Sequence, residues 1–174
     1  ELANFIKSER ALLFNTGYMA NLGVISALVG PGDIVFSDKL NHASIVDGVI
    51  LSGAELKRYR HKDYAHLESL LRNSAKCRHR LIISDALFSM DGDFADLAAL
   101  TGLRERYETF LMIDEAHSDG IYGPKGRGWV AQNHFDRQVD FHVGTLGKAF
   151  GCFGAFVTAS AAAIDYLANK ARSF

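Results

Sequence analysis

Val139-Asp140-Phe141-His142-Val143-Gly144-Thr145-Leu146-Gly147-Lys148-Ala149-Phe150-Gly151 is the stretch on which the reading of this chain turns. It opens as a short apolar run of strand type, breaks at glycines, and then presents one lysine. Glycines on either side let the backbone turn sharply and leave room beside the amine. A lysine held just past a buried strand in a crowded site can lose its proton and attack carbonyls. An isolated Gly-Lys pair is more often a solvated turn, because long charged side chains are mostly exposed. What the other strands deliver decides between the two.

Further apolar runs lie at Ala11–Phe14, Ile34–Phe36, Glu55–Tyr59, Arg80–Ser84, Phe110–Ile113 and Ala155–Thr158. Between most of them sit amphipathic segments: Tyr18–Val29, Ser44–Leu51, Tyr64–Leu71 and Leu97–Tyr107. A last helical stretch begins at Ala161. Apolar runs alternating with helices predict an α/β fold, a three-layer, doubly wound and mostly parallel sheet with helices on both faces. Right-handed crossovers place the strands' carboxyl ends on one edge, where such sheets bind ligands. With no repeat, linker or low-complexity tract, residues 1–174 read as one domain.

The polar groups that follow the strands are the informative ones. After Ala11–Phe14 come Asn15, Thr16, Gly17 and Tyr18, opening a helix; after Ile34–Phe36 come Asp38, Asn41, His42 and Ser44. Asp85 and Ser89 follow the Arg80 strand, Asp114, Glu115 and His117 the Phe110 strand, and Thr145 and Lys148 the Phe141 strand. Each alone has a plain reading as a cap or turn residue. Their convergence on one rim does not.

Composition narrows the chemistry. A formal net charge of −1 with dispersed Lys and Arg carries no footprint for nucleic acid or a membrane surface. Cys77 and Cys152, the two cysteines, lack metal-ligand spacing and read as free thiols. The histidines His61, His66, His79, His134 and His142 show no zinc spacing and read as surface or core residues, so no metal is expected. No leader or apolar run long enough to span a bilayer is seen, which makes the cytoplasm the default.

Asp114-Glu115-Ala116-His117 also spells the Walker-B box of an RNA helicase. That reading needs G-x-x-x-x-G-K-[ST] upstream; here the Gly144–Lys148 glycines are misspaced, Ala149 stands where a hydroxyl would hold Mg²⁺, and the order is reversed. A nicotinamide dehydrogenase needs G-x-G-x-x-G after an early strand, and Asn15–Gly23 lacks it. A Schiff-base lysine, an aspartate for a pyridinium nitrogen, a stacking histidine and a helix start for a phosphate together specify pyridoxal 5′-phosphate, PLP.

At these residues the chain resembles the α-oxoamine synthases, PLP enzymes of fold type I that join an amino acid to an acyl-CoA with decarboxylation. The resemblance runs through Asn41-His42-Ala43-Ser44, Ser89-Met90-Asp91-Gly92-Asp93, Asp114-Glu115-Ala116-His117, Gly126-Arg127-Gly128 and Gly144-Thr145-Leu146-Gly147-Lys148, in that order. It implies that Lys148 carries the cofactor, Asp114 binds its ring nitrogen and His42 stacks on the ring. Ser89 and His117 would meet the ring's 3′-oxygen, Gly17 and Tyr18 would offer N–H groups to the phosphate, and Thr145 would lie alongside. Asp85, where the family often has glutamate, would serve the decarboxylation step. Gly126-Arg127-Gly128 would shape the substrate side or cap a turn.

The resemblance further implies a homodimer, and a longer enzyme of which these residues are the PLP-binding large domain. A small domain would follow Phe174 and a glycine-rich arm precede Glu1, so this stretch alone is expected not to run the reaction. Within the family, Asp93 and the run Tyr59-Arg60-His61-Lys62-Asp63 resemble the members that join L-alanine to a pimeloyl thioester for biotin synthesis. Ser37 to Val49 is also similar to members that join glycine to acetyl-CoA. A non-catalytic scaffold of the same fold would be marked by loss of the lysine, and Lys148 is present.

Overall fold

The computed structural model describes residues 1–74 and 76–174. Seven strands form one sheet: β1 (Arg10–Phe14), β2 (Ile34–Asp38), β3 (Glu55–Tyr59), β4 (Arg80–Asp85), β5 (Phe110–Asp114), β6 (Phe141–Thr145) and β7 (Ala155–Ala159). The helices are α1 (Leu2–Ile6), α2 (Gly17–Leu28), α3 (Ala43–Ser52), α4 (Tyr64–Arg72), α5 (Leu97–Tyr107), α6 (Gly128–Gln132) and α7 (Ala161–Lys170). Strand order is β1-β7-β6-β5-β4-β2-β3.

Each central strand serves two cores by simple alternation. Val35, Leu81, Ile83 and Met112 face a cluster with Val24, Ile25, Ile45, Val49 and Leu167 from α2, α3 and α7. Phe36, Ile82, Leu111 and Ile113 face the other side, with Leu67, Leu71, Leu97, Leu100 and Val130 from α4, α5 and α6. The period of two thus builds the expected three layers. At the β3 edge, Glu55, Lys57 and Arg58 put charge on a strand paired on one side only, which blunts it against further pairing.

Two features differ from the sequence-based expectation. β7 runs antiparallel to both neighbours, so its carboxyl end lies on the opposite edge from the others. Because β1 is antiparallel to β7 in turn, β1 again runs with β6, and its carboxyl end returns to the common rim. The strands also run on past their apolar runs: Asp38, Asp85, Asp114 and Thr145 are final strand residues, buried within the sheet edge. Asp85 and Asp114 are register partners across β4 and β5.

Local chemistry fixes the helix starts. Thr16 caps α2 by accepting from Met19 N–H at 3.1 Å, and Asp63 and Asp96 do the same for α4 and α5. His42 caps α3 with its own ring, Nδ1 lying 3.3 Å from Ser44 N–H. Gly48 lets α3 press closely on α2, since a Cβ there would stand 3.0 Å from Ile25 Cδ1 and 3.3 Å from the Asn21 carbonyl.

Candidate active site

The rim formed by β1, β2, β4, β5 and β6 holds a cleft of about 160 Å³. Gly17, Tyr18, His42, Asp85, Asp114, His117, Thr145 and Lys148 all line it, as do Asn21, Ser44 and Ala116. A larger cavity, about 500 Å³, lies at the amino ends of β5 and β6 around Phe110 and Phe141, away from the lysine.

Asp114 sits at the end of β5, 7% exposed. Its Oδ1 accepts the Ala116 N–H at 2.9 Å and its Oδ2 accepts from Asn21 Nδ2 at 2.8 Å, so the carboxylate is clamped on both oxygens. Asn21 also donates to Ser44 Oγ at 2.9 Å, and Ser44 Oγ lies 2.7 Å from His42 Nδ1. A single polar chain therefore ties α2, β5 and the cap of α3, fixing the His42 ring relative to the Asp114 carboxylate. Asn21 and Ser44 are site residues that the sequence reading did not assign. The signal for Asn21 was available: one amide in an otherwise apolar helix, buried to 1%.

Lys148 stands on the turn after β6, with Nζ 2.7 Å from His117 Nε2. Burial against the cleft wall lowers the lysine pKa, and the Asp114 and Asp85 carboxylates partly oppose this. Burial, then the lysine charge, likewise lowers His117, while Asp114 pulls it back up. Asp85 is held the other way: burial first and the neighbouring Asp114 second raise its carboxyl well above the usual range. Its Oδ2 accepts the His42 N–H at 3.2 Å, while Oδ1, buried, has no partner among the described residues. At the other end of the cleft, the Gly17 and Tyr18 N–H groups open α2 with no backbone acceptor among the described residues. Gly17 packs against Thr145, where a Cβ would lie 3.9 Å from the threonine's own.

Ser89 does not line this cleft. It is exposed on the turn after β4, which is closed on itself by Phe88 N–H to the Asp93 carbonyl and Gly92 N–H to the Phe88 carbonyl. That turn is tied outward as well: His61 bridges Asp38 (Nδ1, 2.9 Å) and Asp93 (Nε2, 3.1 Å), and Lys62 Nζ reaches Asp93 at 2.8 Å. Two separate features of the sequence, the Tyr59–Asp63 run and Asp93, are thus one contact. Arg127 faces away from the cleft; its guanidinium holds the Pro124 carbonyl and Asp136, so it caps a turn.

The donor set fits PLP. A helix start with free N–H groups suits a phosphate, a clamped carboxylate suits a pyridinium nitrogen, and an exposed lysine whose pKa is lowered where it meets the cleft wall suits an aldehyde carbon. All three open on one cleft. No helix among the described residues is long and apolar enough to cross a membrane.

Comparison with known proteins agrees with this geometry. The family model for aminotransferase class I and II matches residues 1–174, and the chain belongs to that family. An 8-amino-7-oxononanoate synthase of Citrifermentans bemidjiense is 53% identical over 173 residues, covering 99% of this chain and 44% of the relative. Among solved structures, a serine palmitoyltransferase from S. paucimobilis with a bound PLP–myriocin aldimine superposes with a TM-score of 0.95 at 36% identity, over 99% of this chain and 43% of that one. An 8-amino-7-oxononanoate synthase from Francisella tularensis gives 0.85 at 37% identity, over 98% and 49%. The relatives are α-oxoamine synthases, as the motifs imply. The chain spans less than half the length of these relatives.

Proposed function

We propose that this chain is the cofactor-holding part of a PLP-dependent C-acyltransferase that condenses L-alanine with a pimeloyl thioester and releases CO₂, an 8-amino-7-oxononanoate synthase activity. The observation that carries the reading is the meeting of Lys148, His117 and the clamped Asp114 in one cleft. The choice of member rests on curated relatives bearing that name at 51–54% identity; among the solved structures, the Francisella synthase and the serine palmitoyltransferases stand alike at 35–37%.

When bound, PLP supplies an electron sink for the carbanion formed at the amino acid's α-carbon. The chain's residues do the rest. Lys148 binds the cofactor covalently through Nζ, and its lowered pKa leaves more of the amine neutral and nucleophilic. His117, adjacent to Nζ, is placed to receive or return the lysine proton and would meet the ring oxygen of the bound cofactor. Asp114 orients the ring by its nitrogen, with Asn21 preventing the carboxylate from turning away. The His42 ring, fixed by Ser44, would stack on the cofactor ring, and the start of α2 would hold its phosphate. Asp85, whose carboxyl is raised by burial first and Asp114 second, would serve the decarboxylation step. Ser89 joins the ring-oxygen contacts only if its turn moves inward. A second subunit completes the site, making the working enzyme a soluble cytoplasmic homodimer.

The test is an assay of the full-length enzyme with alanine, glycine and serine, each against pimeloyl, acetyl and palmitoyl thioesters. Turnover with alanine and the pimeloyl donor at least tenfold above other pairs supports the reading. Preference for glycine with acetyl-CoA overturns the choice of member. Absence of PLP absorbance, or a band unchanged in Lys148→Ala, overturns the site.

A further inference from the structure

Directly behind Asp114 lies a second group of ionisable side chains that the proposed reaction does not use. Glu115, Asp119 and His142 are all buried, with Glu115 at 0% and Asp119 at 1% exposed. Asp119 Oδ2 lies 3.0 Å from His142 Nε2, and Glu115 Oε1 accepts the Val130 N–H at 2.9 Å. The remaining two oxygens, Glu115 Oε2 and Asp119 Oδ1, are buried without a partner among the described residues. They converge on one place: a Cβ built on Gly128 would fall 1.7 Å from Oε2 and 2.5 Å from Oδ1.

Two acceptors sealed from water and turned to the same point repel each other if both side chains are ionised. The charge balance says the same. Two carboxylates meet one imidazolium, whose Nδ1 is 3.9 Å from Oε2. Arg127, though on the neighbouring turn, spends its guanidinium on Asp136 and the Pro124 carbonyl. The other neighbours are Val130 from α6, Ser118, whose hydroxyl points to the Glu115 carbonyl, and Phe156 of β7, stacked on His142 with centroids 6.0 Å apart. None adds positive charge. A divalent cation needs four or more donors, and among the described residues this cluster offers three side chains, with Glu115 Oε2, Asp119 Oδ1 and His142 Nδ1 unpartnered.

We propose that Glu115 is protonated at neutral pH and donates Oε2–H to Oδ1 of Asp119, making Glu115–Asp119–His142 a charge-neutral, proton-sharing chain that positions the Asp114–His117 turn. One proton satisfies both orphaned oxygens and cancels the excess charge. It also spares Asp114 a second negative neighbour on the far side of its own backbone. Glu115 and Asp119 are positioning residues, acting through Asp114 and His117. Consistent with this, burial first and Asp119 second raise Glu115 to about 8, against the pull of His142. Burial opposes the charged His142 ring, but Asp119 and then Glu115 outweigh it and push the ring to about 9. The inference does not depend on which acyl donor the enzyme uses.

Infrared difference spectroscopy of the cofactor-free protein tests it, in an Asp85→Asn background that removes the other buried acid. A carboxylic-acid carbonyl band at pH 7, absent in Glu115→Gln and titrating away near pH 8, is the expected result. Glutamate δ-carbon NMR of the unsubstituted protein makes the same measurement should the variants not fold. Glu115→Gln, whose amide can donate as the acid does, should keep PLP affinity within about threefold and flatten the pH dependence of melting between pH 5 and 8. Glu115→Ala should weaken PLP binding more than tenfold. A Glu115 carboxylate ionised at pH 7 in both spectra, whether bridged by water or by a stoichiometric cation, overturns the proposal, as does equal damage from Gln and Ala.

Discussion

The amine of Lys148 and Nε2 of His117 are 2.7 Å apart in the same cleft, and the lysine charge lowers the proton affinity of the ring. A contact this short between two basic nitrogens needs one of them to be an acceptor, which the lowered pKa of His117 provides. Removing the lysine charge removes one cause of that lowering. In Lys148→Ala the His117 ring should therefore titrate at higher pH than in the parent, read by imidazole NMR. An unchanged or lower titration point would show that the pair does not interact in solution.

Asp114 has an opposite effect on the lysine. Its charge raises the pKa of Lys148, against the burial that lowers it. Asp114→Asn should thus leave a larger fraction of neutral amine at a given pH, shifting the pH profile of PLP capture downwards while weakening the affinity for PLP. Stopped-flow absorbance across pH separates the two effects. A profile moved upwards would contradict the assigned electrostatics.

Asn21 is the brace between Asp114 and Ser44. Deleting its amide leaves a buried carboxylate short of a donor, which costs about 1–3 kcal/mol. Asn21→Ala should lower the melting temperature accordingly and raise the PLP dissociation constant by about tenfold or more. Asn21→Asp, placing a like charge at hydrogen-bond distance, should do worse. Thermal melts and PLP titration check both.

Asp33 anchors the turn between α2 and β2. Its carboxylate takes Arg78 through two bonds at 2.9 and 2.7 Å and also accepts the Gly30 and His79 N–H groups. The Arg78 guanidinium is the first cause holding its pKa below the usual carboxylate range. A folded-state pKa below the unfolded value means the contribution is complete above about pH 4 and disappears as pH falls through the lowered value. Asp33→Ala should destabilise by about 1.5–3 kcal/mol at pH 7 and by much less at pH 2–3, as chemical denaturation would show.

Gly128 has φ +86°, and a Cβ there would fall 1.7 Å from Glu115 Oε2. Alanine there takes a left-handed conformation that costs about 1–2 kcal/mol before any clash, and the clash displaces a buried acid. Gly128→Ala should cost more than about 2 kcal/mol in total and weaken PLP binding. A variant that melts with the parent would remove the steric role assigned to this glycine.

The sequence is most legible where one physical rule acts alone. Short apolar runs locate all seven strands, and Glu55–Tyr59 and Leu97–Tyr107 agree end to end. The rim residues are legible for the same reason: once strands are parallel, whatever follows them converges. Ser89 shows the limit, since a strand end places the start of a loop but not its course, and here hydrogen bonds to Asp93 and the His61 bridge hold the turn outward. The reversed β7 is hidden because a buried strand has the same pattern in either direction. Asn21 and Asp119 go unread, and Ser44, Glu115 and His142 are named without a role, because pairing across elements leaves no spacing to read. For Asn21 the mark was a lone amide on a buried face.

The antiparallel seat of β7 has a consequence for how the molecule is made. β1 finds its one neighbour in β7, with Arg10 opposite Ala159. A ribosome therefore synthesises the opening strand about 145 residues before anything exists for it to zip against. Through all of that time the helix bearing Thr16, Gly17 and Asn21 has no fixed anchorage on the strand ahead of it. Nascent chains stopped before residue 155 should accordingly remain unable to retain PLP.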